Sequence, residues 1–169
     1  PIVPKPGRPS RTVGSRLPLD YARETGANFV TDRARAAARD RLSVVERNQS
    51  IDHQRIWADL LWSPALAFNL FSDAAAQRAL APGVTEVRFE HSPGWLDPAY
   101  LGSLRSFDAL LVLDDVEVVA VDVKYHERAK AEKPKPENLG RYREVAERSG
   151  AFAPGAIDEL GGRTELAVL

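Results

Sequence analysis

The stretch Ser106-Phe107-Asp108-Ala109-Leu110-Leu111-Val112-Leu113 runs through Asp114-Asp115 into Val116-Glu117-Val118-Val119-Ala120-Val121-Asp122-Val123-Lys124-Tyr125. Its two halves carry Val, Leu and Ala at successive rather than alternate positions. That pattern predicts two strands covered on both faces in the middle of a sheet. Asp108, Asp122 and Lys124 break it. An unpaired buried carboxylate is expensive, so residues placed this way call for a metal ion, an ion pair or a reaction.

The register sharpens the reading. A three-residue loop of Asp114, Asp115 and Val116 sets Leu113 opposite Glu117 and carries Asp108 opposite Asp122. Opposed residues share one face with Cβ atoms about 4.5–5.5 Å apart, and two like charges there repel unless something positive lies between them. A divalent cation does that. Lys124 falls on the same face because the strand period is two. A two-residue turn would instead bring Asp108 opposite Val121 and separate the acids, so the site depends on the register.

Asp108, thirteen residues, then Asp122-Val123-Lys124 has the form of the signature of the PD-(D/E)xK nuclease superfamily. The chain resembles that superfamily from about Asn28 to Phe152. Phe107 stands where the family usually has Pro, a position that shapes the backbone and carries no chemistry. Two further stretches, Trp62-Ser63-Pro64-Ala65-Leu66-Ala67-Phe68-Asn69-Leu70-Phe71 and Lys124-Tyr125-His126-Glu127, are similar to a bacterial restriction-endonuclease-like branch. The resemblance implies an α/β fold with a restriction-endonuclease-like core, a mixed central sheet flanked by helices, and an N-terminal helical segment. It also implies a metal-dependent endonuclease that hydrolyses phosphodiester bonds, of DNA, in bacterial defence or repair.

Such chemistry needs an activated water, a neutralised phosphate and a stabilised leaving oxygen. Mg²⁺ or Mn²⁺ held by carboxylates supplies much of this. Asp108 and Asp122, with the Val123 carbonyl, suffice for a hard cation that keeps several waters. Lys124 would orient the attacking water or stabilise the charge on the phosphate, which makes Asp108, Asp122 and Lys124 the catalytic set. A third acid comes from Val84-Thr85-Glu86-Val87-Arg88-Phe89-Glu90, a strand with Val87 and Phe89 inward. Glu90 lies at its far end and matches an acid of the resembled branch, so it joins the metal ligands; Glu46 on the preceding helix is the other candidate. Glu127 is a candidate to hold Lys124 or a metal-bound water, or else a rim charge. Two other functions remain open: a catalytically silent nucleic-acid-binding or interaction domain on the same fold, and a plain interaction domain in which Asp108, Asp122 and Lys124 form an ion network.

The chain has 169 residues, 44% hydrophobic and 28% charged, an ordinary globular composition for one domain. With no cysteine, disulfides and thiolate metal sites are excluded, and a cytoplasmic setting is expected. Neither a signal peptide nor a run of 18 apolar residues is present, so nothing indicates secretion or a membrane. The net charge of −1 gives no global nucleic-acid signal. The local balance says more: nine Lys or Arg against four Asp or Glu over residues 1–41, and eight against five over 124–148. Basic segments beside an acidic metal site suit a phosphate backbone and are equally typical of solvated helices.

Residues 1–27 read as a flexible, basic, Pro-rich arm and 28–169 as a single nuclease domain. Thr31-Asp32 caps a helix running to Arg47, and Asp52 caps a second with Ile56, Leu60 and Leu61 on one face. Pro64 opens a third at its first position. Trp57, Trp62 and Phe68 are assigned to core packing, and His53 and His91 to the surface or a cap. A polar loop with Lys130, Lys133 and Lys135 leads from the hairpin, placed to meet substrate. It leads to a helix over Glu137–Ser149, with Leu139, Tyr142, Val145 and Ala146 in a stripe and Gly150 as its stop. The absence of methionine and the apolar ending Thr164-Glu165-Leu166-Ala167-Val168-Leu169 suggest a chain cut at both ends.

Overall fold

In the computed structural model, which describes residues 14–44, 51–73, 77–79, 82–92, 106–114, 117–125 and 136–161, the apolar run from Phe107 forms the middle of a three-stranded sheet. Its order is β1 (Val84–His91), β2 (Phe107–Leu113), β3 (Glu117–Val121), all antiparallel. Leu113 pairs with Glu117 and Ala109 with Val121, so three residues separate the strands and the expected register holds. Asp114, the first residue after β2, has a positive φ of 41°.

Burial follows strand position. In β2 every residue from Asp108 to Val112 is buried. β3 behaves differently: it has a strand neighbour on one side only among the described residues, and Val118 and Val119 are 55% and 42% exposed. Coverage on both faces is therefore corrected for β3, whose Val118, Val119 and Val121 reflect β propensity in a strand that is at the edge among the described residues.

Four helices precede or pack on the sheet: α1 (Leu19–Thr25), α2 (Asp32–Ser43), α3 (His53–Ala58) and α4 (Ser63–Phe71). The Thr31 hydroxyl accepts the Ala34 N–H at 3.1 Å. Asp52 accepts the N–H groups of Gln54 and Arg55, each at 3.0 Å. Both caps satisfy donors that the first helical turn leaves unpaired. Pro64 is the second residue of α4, where its missing N–H is equally harmless. α3 stops at Ala58, so Leu60 and Leu61 lie past its end.

From Ser15 onward the chain is hydrogen-bonded to the end of α3 and the residues after it. Leu17 donates its N–H to Ala58 O at 2.8 Å, and Leu60 donates to Ser15 O at 2.9 Å. Arg16 pairs with the buried Asp59 at 3.3 Å, and Arg55 does so at 3.1 Å. α1 then buries Ala22 completely. Residues 1–13 lie outside the described residues, as do 45–50, 126–135 with their three lysines, and 162–169.

α4 covers the sheet face that carries Phe89, Ala109 and Leu111. Phe29 meets Trp57 and Phe68 edge-on, with centroids 5.2 and 6.5 Å apart, and Phe68 stacks on Phe89 at 4.2 Å. These rings join helices to sheet. Trp57 and Phe68 are buried, as expected; Trp62 is half-buried beneath the Arg55 guanidinium at 4.9 Å.

Gly26 closes α1 with φ 69°, its N–H on Ala22 O at 2.9 Å. A Cβ there would lie 2.6 Å from Arg35 Cδ and Nε, and Arg35 Nη2 is committed to Glu24 O at 2.7 Å. Gly26→Ala is expected to cost about 1–3 kcal/mol through positive φ and crowding, read as a lower urea midpoint at unchanged slope.

By contacts the chain divides into two units: residues 1–92 with 106–126, and 93–105 with 127–169. In the second, α5 (Pro136–Ser149) buries Ala146, half-buries Leu139, Tyr142 and Val145, and is followed by Gly150 at φ 65°. Arg143 of α5 pairs with Asp158 of α6 (Ala156–Gly161). No helix among the described residues is long and apolar enough to cross a membrane.

Candidate active site

Strand pairing lines three acids across the sheet. Phe89 faces Ala109 and His91 faces Phe107, so Glu90 stands across from Asp108. Ala109 faces Val121; one step on, past the end of β3, Asp108 stands across from Asp122. Alternation along β2 sends Ala109 and Leu111 into the helical core and Asp108, Leu110 and Val112 to the other face.

The three acids differ in surroundings. Asp108 is 7% exposed, whereas the side chains of Asp122 and Lys124 are 58% and 50% exposed. An apolar setting thus holds for Asp108 and is corrected for Asp122 and Lys124, which leave the sheet where β3 ends. Lys124 Nζ lies 2.5 Å from Asp122 Oδ1. So exposed a pair adds at most about 1 kcal/mol; its effect is to hold an ammonium against Asp122. Val123, between them, donates its N–H to Asp108 Oδ2 at 2.6 Å.

Glu90 is reached by an unusual backbone, with φ 48° at a non-glycine residue. The left-handed region costs such a residue about 1–2 kcal/mol. Ser106 Oγ donates to Glu90 Oε2 at 3.0 Å. From the last turn of α2, Arg41 Nε donates to Phe89 O at 2.8 Å and Nη2 to Glu90 O at 3.0 Å. Neither Arg41 nor Ser106 was marked by the sequence. Arg41 was one basic residue among many in its segment, and bonds to main-chain carbonyls leave no motif.

The Asp108 carboxyl is raised to about 7, first by burial and then by the neighbouring carboxyl groups of Glu90 and Asp122, against the downward pull of the Val123 N–H. Glu90 is also raised, again first by burial and in part by Asp122, against hydrogen bonds from Ser106 and Asp108 and the charge of Arg41. Asp108 and Glu90, side by side and both raised, do not ionise together at low cost.

Among the described residues no three His, Cys, Asp or Glu side chains are grouped so that together they could hold a metal ion. The donor chemistry still fits a hard divalent cation, which takes one or two carboxylates and completes its shell with water and phosphate oxygens. His53 is exposed at the start of α3 and His91 half-buried at the end of β1. Glu46 and Glu127 lie outside the described residues.

A family model described as the PD-(D/E)XK nuclease superfamily matches residues 2–165. No curated protein and no solved structure matches the chain.

Proposed function

The chain belongs to the PD-(D/E)XK nuclease superfamily, and from that premise we propose that it is a metal-dependent endonuclease hydrolysing phosphodiester bonds of DNA in bacterial defence or repair. The observation that carries this is the buried Asp108, its carboxyl raised to about 7, in line with Glu90 and with Asp122, which pairs with Lys124. Mg²⁺ or Mn²⁺ would be held by Asp108, Asp122, the Val123 carbonyl and Glu90. When bound, the ion supplies a Lewis acid for a phosphate oxygen and a more acidic water. Asp108, fixed by the Val123 N–H, provides the rigid member of the donor set, and Asp122 the solvent-facing one. Lys124 stands at the open side, where its ammonium orients the attacking water or stabilises charge on the phosphate. The basic residues in 1–41 and 124–148 supply the sequence-independent grip on nucleic acid.

The full chain is expected to nick or cut plasmid DNA in Mg²⁺ or Mn²⁺ and not in EDTA. Ca²⁺ should support binding with little cleavage, since its looser shell positions water poorly. DNA affinity should fall steeply between low and physiological salt. If plasmid, linear and single-stranded DNA and RNA all stay intact in both metals, and none binds better than a neutral polymer, the nuclease reading fails. Binding without cleavage would leave the silent nucleic-acid-binding domain.

A further inference from the structure

Arg41 does more than add to a basic segment. Its guanidinium reaches three carbonyls: Val44 at the end of α2 through Nη1 at 2.6 Å, Phe89 through Nε at 2.8 Å and Glu90 through Nη2 at 3.0 Å. The Phe89 and Glu90 carbonyls belong to the two peptide planes that meet at the Glu90 Cα. Holding both fixes φ and ψ at that residue, which the structure keeps at φ 48°. Left alone, a glutamate would relax to the extended region and swing its side chain away from the row. Ser106 completes the restraint, its hydroxyl 3.0 Å from Glu90 Oε2.

We propose that Arg41 is a positioning residue of the active site: its planar fork locks the left-handed turn at Glu90 and so delivers that carboxylate to Asp108. This rests on the metal-site reading of Glu90, Asp108 and Asp122 given above. The geometry also says why arginine stands there. Five N–H donors in a rigid fork straddle two consecutive peptide planes and a helix end, whereas the three donors of a lysine radiate from one nitrogen.

The test titrates Mn²⁺ alone into the full chain, comparing the wild type with Arg41→Ala, Arg41→Lys, Glu90→Gln and the double variant Arg41→Ala/Glu90→Gln. Arg41→Ala and Arg41→Lys should each weaken Mn²⁺ binding about tenfold or more, as loss of a residue that orients a ligand does. In the Glu90→Gln background Arg41→Ala should add no further loss, because the two act through one carboxylate. Equal loss in both backgrounds would make Arg41 a general support of the fold, and full affinity in Arg41→Lys would make its charge sufficient; either overturns the proposal. A metal-free readout stands beside this: the ¹³C resonance of the Glu90 carboxyl should move to the value of a solvent-averaged glutamate in both Arg41 variants. An unmoved resonance overturns the clamp. A wild type that binds no Mn²⁺ would defeat the metal-site reading, and the carboxyl resonance would still decide the clamp.

Discussion

Lys124→Ala is expected to lower kcat for DNA cleavage by about 10²–10³-fold, the usual loss when one group that stabilises transition-state charge is removed, with KM and DNA affinity little changed. The expectation follows from where the ammonium sits. Its partner Asp122 is mostly solvated, so the pair contributes little to folding, and urea unfolding of the variant should match the wild type within about 0.5 kcal/mol. For ground-state binding Lys124 is one of many basic residues; in the proposed mechanism its ammonium, paired with Asp122, meets charge that grows during reaction. A kcat loss at constant KM marks an interaction made only in the transition state. If affinity falls while kcat stands, Lys124 is a phosphate anchor. If neither changes, the contact with Asp122 is an ordinary surface ion pair, and the interaction-domain reading gains.

The register of the hairpin was legible because side-chain alternation and loop length together leave few pairings, and the pairing of Leu113 with Glu117 is the one that brings the acids level. Helix starts were legible for a similar reason: Thr31 and Asp52 have short acceptor side chains that serve free N–H groups. What escaped was anything decided by tertiary contacts. The Val run of β3 looks the same whether its strand is central or at the edge, since β-branched residues suit both. The docking of Ser15 to Leu17 depends on main-chain bonds to Ala58 and Leu60, which no composition of Pro and Arg announces. At Glu90 the positive φ is imposed by Arg41 from another element. A glutamate carries no local preference for that region, so its position in the row with Asp108 was readable as a strand end but not as a turn.

Asp108→Asn is expected to stabilise the metal-free protein above neutral pH. The substitution keeps an oxygen that accepts the Val123 N–H and removes the charge that burial and two neighbouring carboxylates disfavour. Below about pH 4 both the folded and unfolded carboxyls carry their proton, and the group leaves stability untouched. As pH rises from about 4 to about 7 the unfolded chain ionises first while the folded state, with its carboxyl raised to about 7, holds the proton. Wild-type stability therefore falls through that window and levels above it, by an amount on the order of 4 kcal/mol at full extent. In EDTA at pH 8 the variant should exceed the wild type by a substantial part of that figure, and at pH 4 the two should agree within about 0.5 kcal/mol. Mg²⁺ should then stabilise the wild type in proportion to its occupancy and leave Asp108→Asn where it was. Urea unfolding at the two pH values, with and without Mg²⁺, reads all four terms. A variant that is strongly destabilised at pH 8 without metal would mean that the Asp108 charge is already compensated within the fold, as in a structural ion network. A variant more stable than the wild type, and deaf to Mg²⁺, is the behaviour of a carboxylate kept in an unfavourable place for the cation it binds.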